Sequence, residues 1–351
     1  MAARQRFLSV FPTIVNDLET YLCHLHIPSK GIEWFKKNMY YNCLGGKLSR
    51  GLSVVDSYEI LLGRALSDDE YQKVAVLGWC VELLQACFLV VDDMMDQSET
   101  RRGQRCWYLM PDVGMIAIND SFMLESSVFF LLKKYFGSEL YYPSLMESFH
   151  DATFKTEFGQ LLDLLIAPDN ETDLSRFSMQ THSFIIEYKT TFYSFYLPVV
   201  LAMNMAGVRD EEDFKQAKDI LVPLGKYFQI QDDFLDCFGD PHVTGKIGTD
   251  IIENKCTWLI NKALEKATPQ QREILERNYG KKDPDSEAIV KKLYDELELR
   301  DEFKQYEEES VLYIKSLIEK VDESRGLKKQ IFVAFLDKIY QRNFTNVLIN
   351  Y

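Results

Sequence analysis

Between Val81 and Tyr108 the chain reads VELLQACFLVVDDMMDQSETRRGQRCWY, and this stretch limits the possible folds more than any other. From Leu83 to Val91 every residue except Gln85 is apolar, and neither Gly nor Pro occurs from Val81 to Thr100. A run of that length without turn residues predicts a buried helix. It leads into Asp92, Asp93 and Asp96, a residue type rarely buried unless it is paired or binds a metal. Helical geometry sets Asp92 and Asp96 one turn apart on one face, with Asp93 beside them. The pattern predicts a helix end near Gly103, so the acids fall where the macrodipole disfavours them. Counter-charge must come from Arg101, Arg102 and Arg105, or from a hard divalent ion such as Mg²⁺, which takes oxygen ligands and shares substrate phosphates.

A second copy lies far downstream. Phe228 to Asp236 reads FQIQDDFLD, so Asp232, Asp233 and Asp236 repeat the first spacing, with Lys246 and Lys255 following. Two acidic helices with cations around them describe a cage for a metal-bridged polyphosphate. From Leu44 to Gly51 the sequence LGGKLSRG interrupts the helical pattern, and its glycines bare backbone N–H groups beside Lys47 and Arg50, which suits a phosphate. Gln160 and Asp163 share one face of an apolar helix, Lys189 sits in an aromatic one, and Lys246 lies in the flexible loop GKIGTD. Taken singly, each also fits a satisfied polar group or a solvated cation.

The 351 residues contain no Gly/Ser/Pro-rich linker and no fixed-period repeat, so one domain spanning 1–351 is expected. No convincing two-residue alternation is found anywhere, and the fold class read from the periodicity is all-α. One helix is expected from residue 173 to 205, with Pro198 and Pro223 kinking or restarting the helices that contain them. Residues 262–310, dense in Lys, Glu and Asp, read as a solvated outer layer. A net charge of −14 argues against nucleic-acid or anionic-membrane binding. The seven cysteines form no CxxC pair and the five histidines lack ligand spacing, as in a reducing compartment. Pro12, Asp17 and Glu19 break the apolar patch at the N-terminus before a signal peptide or membrane span is reached, so a cytoplasmic protein without a transmembrane segment is expected.

The motifs GGKLSRG, ELLQ, DDMMD with TRRGQ, TEFGQLLDL, KTTFYSF, FQIQDDFLD and GKIGTD, then Lys255, occur in that order. Together they resemble the eukaryotic farnesyl diphosphate synthases, a family of all-helical trans-isoprenyl diphosphate synthases, over nearly the whole chain. The resemblance implies the isoprenoid synthase fold, a single bundle of about ten or more helices around a central substrate cavity. It implies a prenyltransferase of isoprenoid and sterol biosynthesis that condenses isopentenyl diphosphate with dimethylallyl and geranyl diphosphate through an allylic carbocation. A homodimer with Mg²⁺, about three ions per active site, is implied as well.

By the same resemblance Asp92, Asp96 and Asp232 would bind metal on the allylic diphosphate, with Asp93, Asp233 and Asp236 completing the acidic motifs. Arg101, Lys189 and Lys246 would close on that diphosphate, with Lys255 nearby. Lys47, Arg50, Gln85 and Arg102 would hold isopentenyl diphosphate. Thr190 and Gln229 would line the reacting carbon, and Phe228 would pack close by. Phe88, one turn below Asp92, would floor the tunnel for the growing chain; Cys87 departs from the family, which usually has Phe or Tyr there. The C-terminus departs too, running on past Arg342 as NFTNVLINY where the family has a short basic tail. Farnesyl diphosphate is the expected product. A geranylgeranyl or dual-product synthase and a non-catalytic partner subunit stay open, whereas a terpene cyclase would have no use for a second diphosphate site.

Overall fold

The computed structural model describes residues 2–168, 172–240 and 248–340. The chain forms α1 (Ala2–Leu8), α2 (Phe11–His24), α3 (Ser29–Cys43), α4 (Ser49–Leu62) and α5 (Asp68–Met95), followed by a two-residue hairpin, β1 (Thr100–Arg101) and β2 (Gln104–Arg105). Next come α6 (Ile116–Phe136), α7 (Tyr142–Ile166), α8 (Met179–Ile186), a π-helical stretch (Glu187–Tyr196), α9 (Leu197–Ala206) and α10 (Glu211–Phe238). The last helices are α11 (Trp258–Lys266), α12 (Pro269–Asn278), α13 (Pro284–Glu296), α14 (Leu299–Glu319) and α15 (Lys329–Tyr340). The all-α class read from the sequence is the one adopted. Contacts divide the chain into two compact units, the first running to Thr153 and taking in Tyr193–Ala217 and Asp322–Ile331. The second holds Phe154–Phe192, Lys218–Val321 and the chain from Phe332 onward.

In the first unit α5 is the central helix. Every side chain from Val74 to Cys87 is buried, as a helix apolar on all faces requires, with α4 and α6 packed against it. A capping box starts it: Ser67 Oγ accepts the Glu70 N–H while the Glu70 carboxylate accepts the Ser67 N–H. By length and composition α5 could cross a membrane, but its apolar faces are already covered by protein. Where α4 meets α5, a Cβ on Gly78 would fall 2.5 Å from the Gly51 carbonyl oxygen, so the two helices touch backbone to backbone. Phe7 fills the rim of that crossing, its ring 4.8 Å from that of Trp79, whose indole N–H donates to the Phe7 carbonyl.

The structure corrects three local expectations. The acidic helix ends at Met95, well before Gly103, because Gln97 turns left-handed at φ 54°. The Ser98 N–H then bonds the Asp93 carbonyl and the Gln97 N–H that of Met94, a Schellman motif without glycine. The hairpin was invisible to a search for alternation because its strands are two residues long. Arg102 and Gly103, at φ 54° and 72°, make the tight turn, in which both central residues are left-handed. The single helix expected over 173–205 is broken into α8, the π-helical stretch and α9. Ser178 Oγ caps α8 by accepting the Thr181 N–H. The Thr191 hydroxyl bonds the Ile186 carbonyl five residues back, and Pro198, lacking an N–H, opens α9. Pro223, in contrast, lies inside α10 without ending it.

In the second unit the C-terminal half of α10 carries the second acidic motif. Phe234 stacks on Phe303 at 3.9 Å, Tyr227 donates to Glu307 at 2.6 Å, and Gln231 donates to the Ile339 carbonyl. Thus α14 and α15 are pinned to α10. Ion pairs such as Arg272–Glu276 and Lys266–Glu302 line the outer faces of α11 to α14, as the charge density predicts, but these helices are more than a solvated layer, because their inner faces bury Leu275, Tyr294 and Phe303 in this unit's core.

Candidate active site

The first unit holds a basic loop and an acidic helix end. In GGKLSRG, Gly45 has φ 92° and Leu48 φ 55°, turns that lift Lys47 to an exposed position before α4 starts. Gly46 is wedged against Arg102, since a Cβ there would lie 2.8 Å from the guanidinium carbon, and its carbonyl accepts from Arg4 Nη2 at 3.0 Å. Arg102 also donates to the Asn42 and Leu44 carbonyls, and burial lowers its pKa from the ordinary arginine value. Arg50 is held from three sides. Its Nε donates to Ser194 Oγ at 2.8 Å, its guanidinium lies over the Tyr193 ring at 4.9 Å, and its Nη1 meets Gln85.

At the end of α5, Asp93 is buried while Asp92 and Asp96 are partly open. Arg101 Nε and Nη2 reach Asp93 Oδ1 at 2.8 and 2.6 Å, and Nη2 also reaches Asp92 Oδ2 at 3.2 Å. Burial pushes the Asp93 carboxyl up, and Arg101 opposes the rise. One turn back, Phe88 meets Tyr193 edge to face at 5.4 Å, beside the buried Cys87.

The second unit repeats the arrangement. Asp233 is buried; its Oδ2 lies 2.9 Å from His182 Nε2 and accepts the Trp258 N–H at 2.9 Å, while Oδ1 accepts from Gln229 Nε2 at 3.3 Å. A carboxylate can only accept, so His182 Nε2 carries the proton of that bond. Asp236 Oδ2 accepts the Asp250 N–H at 3.0 Å, and Asp232 is partly open. In both motifs, then, the middle aspartate faces inward and holds the helix in register. Phe228 and Thr190 are partly buried.

Asp163 joins two lysines in this unit. Its Oδ2 accepts from Lys189 Nζ at 2.7 Å and from Lys255 Nζ at 3.3 Å. Burial alone would raise this carboxyl, but the two ammonium groups outweigh it and hold it well below the usual carboxylate range. Gly159 permits the arrangement, because a Cβ there would lie 2.1 Å from the Lys189 backbone nitrogen. Lys246 and the chain beyond Tyr340 lie outside the described residues.

Glu82, part of ELLQ, is a site residue to which the motifs assign no role. It is 3 % exposed, accepts the Gly51 N–H at 2.7 Å, and faces Gln85. The signal was available: an acid at i−3 from Gln85, alone with it in an otherwise apolar run.

Among the described residues no three Asp, Glu, His or Cys side chains gather into a ready-made metal cluster. The partly open carboxylates of Asp92, Asp96 and Asp232 nevertheless fit Mg²⁺, which binds through one or two carboxylates and completes its shell with water and substrate phosphate.

Comparison with known proteins agrees with this geometry. The model of the polyprenyl synthetase family matches residues 32–297. The chain is 61 % identical over 340 residues to a farnesyl pyrophosphate synthase of Schizosaccharomyces pombe, covering 97 % of this chain and 98 % of the relative. It is 50 % identical over 341 residues to the Gallus gallus enzyme of the same name, covering 97 % and 92 %. The solved structure of T. brucei farnesyl diphosphate synthase complexed with risedronate superposes with a TM-score of 0.85 at 33 % identity, covering 98 % of this chain and 99 % of that one. With both acidic motifs, the basic loop and the full-length likeness in place, this chain belongs to the polyprenyl synthetase family and, within it, to the farnesyl pyrophosphate synthases.

Proposed function

We propose that the chain joins isopentenyl diphosphate to dimethylallyl diphosphate and then to geranyl diphosphate, head to tail, giving farnesyl diphosphate and inorganic diphosphate. The observation that carries this reading is that the first unit alone offers two anion receptors of opposite chemistry. Lys47, Arg50 and Arg102 form a cationic one, which takes a diphosphate directly. Asp92 and Asp96 form an anionic one, which takes a diphosphate only through a divalent cation. Two diphosphate esters handled differently are what this transfer requires.

The allylic C–O bond breaks heterolytically, leaving a delocalised cation and diphosphate. The isopentenyl double bond attacks the cation, and the released diphosphate accepts the proton then lost. In the second unit Lys189 and Lys255, held on Asp163, meet the charge on the leaving group, and Lys246 is assigned to it as well. By likeness to the family, Arg101, which bridges Asp92 and Asp93 in the first unit, is assigned to that diphosphate as well. When bound, Mg²⁺, about three ions, supplies further charge neutralisation at that diphosphate. Aromatic faces and neutral dipoles keep water from the cation: Phe88 and Tyr193 in the first unit, Phe228, Thr190 and Gln229 in the second.

The edge-to-face pair of Phe88 and Tyr193 supports a floor one turn below Asp92 despite the small thiol of Cys87. Purified protein given Mg²⁺, isopentenyl and geranyl diphosphate is expected to yield farnesol as the only alcohol after dephosphorylation and chromatography. A substantial geranylgeraniol fraction would overturn the product assignment.

We also infer a homodimer, on the apolar stripe Phe154, Phe158, Leu161 and Leu165 that α7 exposes, and on Met115, Ile118 and Phe122 at the start of α6. A cytoplasmic location is supported by seven cysteines that form no disulfide. Recovery in a membrane-enclosed fraction after cell fractionation would refute it.

A further inference from the structure

The basic loop is backed by a buried acid. Glu82 projects from α5 toward the first turn of α4, a helix end that no side chain of its own segment caps. Its Oε1 accepts the Gly51 N–H at 2.7 Å, with the Arg50 N–H beside it, so the cap is supplied by a neighbouring helix. The other oxygen acts through Gln85. A guanidinium can only donate, so Gln85 must present Oε1 to Arg50 Nη1, at 2.7 Å, and this leaves its Nε2 to donate to Glu82 Oε2 at 3.2 Å. An obligate acceptor on one side and an obligate donor on the other permit one orientation of that amide. Burial pushes the Glu82 carboxyl up, opposed by the Gly51 N–H and by the charges of Arg50 and Arg102.

We propose that Glu82 is a positioning residue for the homoallylic diphosphate: it fixes the first turn of α4 and, through Gln85, the orientation of Arg50, so that the cationic receptor is formed before its anion arrives. The proposal rests on the reading that Lys47, Arg50 and Gln85 receive isopentenyl diphosphate. Its physical content is preorganisation, since a guanidinium already held in place loses less freedom on binding than a mobile one. Arg50 has further support from Ser194 and Tyr193, so Glu82 governs how Arg50 is aimed rather than whether it is present.

The test is Glu82→Gln, which keeps size and shape. The new amide must give its oxygen to the Gly51 N–H, so its NH₂ faces Gln85 and forces that amide to turn its own NH₂ toward Arg50, donor against donor. The KM for isopentenyl diphosphate is expected to rise about tenfold while the KM for geranyl diphosphate stays within about twofold. Calorimetric titration with isopentenyl diphosphate alone should show the same loss in affinity. In an Arg50→Ala background the substitution should add less than about twofold, because the two act as one unit. Glu82→Asp, which keeps the charge but withdraws it by one methylene, is the second variant and should give a smaller rise of the same sign. A lowered melting temperature with both KM values unchanged, both KM values raised alike, or a full effect retained in the Arg50→Ala background would overturn the proposal. Lys47→Ala separates this failure from that of the underlying reading. If it leaves the isopentenyl KM unchanged, the loop is not the homoallylic receptor and the proposal falls with it; if it raises that KM and Glu82→Gln does not, Glu82 alone is misassigned.

Discussion

At the scale of single residues, the roles divide between groups that meet substrate and groups that hold them. Asp163 belongs to the second kind, a buried carboxylate accepting from both Lys189 and Lys255. Asp163→Asn removes the common counter-charge and is expected to destabilise the fold by about 3 kcal/mol at neutral pH. Turnover should fall about 100-fold as both ammonium groups lose their aim. The sign of the pH dependence follows from the lowered carboxyl. Such a group contributes stability that is complete above its unfolded value of about 4 and is lost as the pH falls through the folded value. The gap in melting temperature between wild type and Asp163→Asn should therefore be full at pH 7 and narrow below about pH 4. A gap that widens on acidification would contradict the assignment. The sequence placed Asp163 on an apolar helix face and Lys189 in an aromatic helix but could not pair them. Twenty-six positions separate them, and Gly159, which lets the backbones approach, gives no sign of its partner.

At the scale of elements, the decisive contact is the crossing of α4 and α5, which ties the basic loop to the helix of the first acidic motif. Gly78→Ala puts a methyl into the Gly51 carbonyl and against Phe7. A loss of about 3 kcal/mol in denaturant unfolding is expected, and a neutral result would mean that the helices can part freely. The helices themselves were legible, because α5 is apolar from Val74 to Val91 apart from Glu82 and Gln85 and the motif residues repeat their spacing in α10. Their ends were less so. The stop after Met95 depends on Gln97 entering a left-handed conformation that glycine favours, and the π-helical stretch, where the Thr191 hydroxyl bonds the Ile186 carbonyl, carries no pattern that sets it apart from an α-helix. The inward direction of Asp93 and Asp233 was hidden as well, since it is set by Arg101 in one case and by His182 with the Trp258 N–H in the other.

At the scale of the whole molecule, the exposed stripe on α7 predicts self-association. Light scattering after gel filtration should report two chains for the wild type and one for a Phe154→Arg, Phe158→Arg double variant; a monomeric wild type at micromolar concentration would remove the dimer. Glycine is absent from several turns where backbone geometry would welcome it. Among the described residues, Leu48, Gln97, Arg102 and Asn254 are left-handed without being glycine, and each lies within or beside a motif of the site. Each such residue raises the energy of the fold by about 1 kcal/mol or more, yet Arg102 gives a cation to the basic loop and Leu48 fills the core beneath it. A lineage bred only for heat resistance would drift toward glycine or toward relaxed turns at these positions. At Leu48 and Arg102 the backbone cost is offset by what the side chain supplies to the basic loop, so glycine there would relax the turn and weaken the receptor.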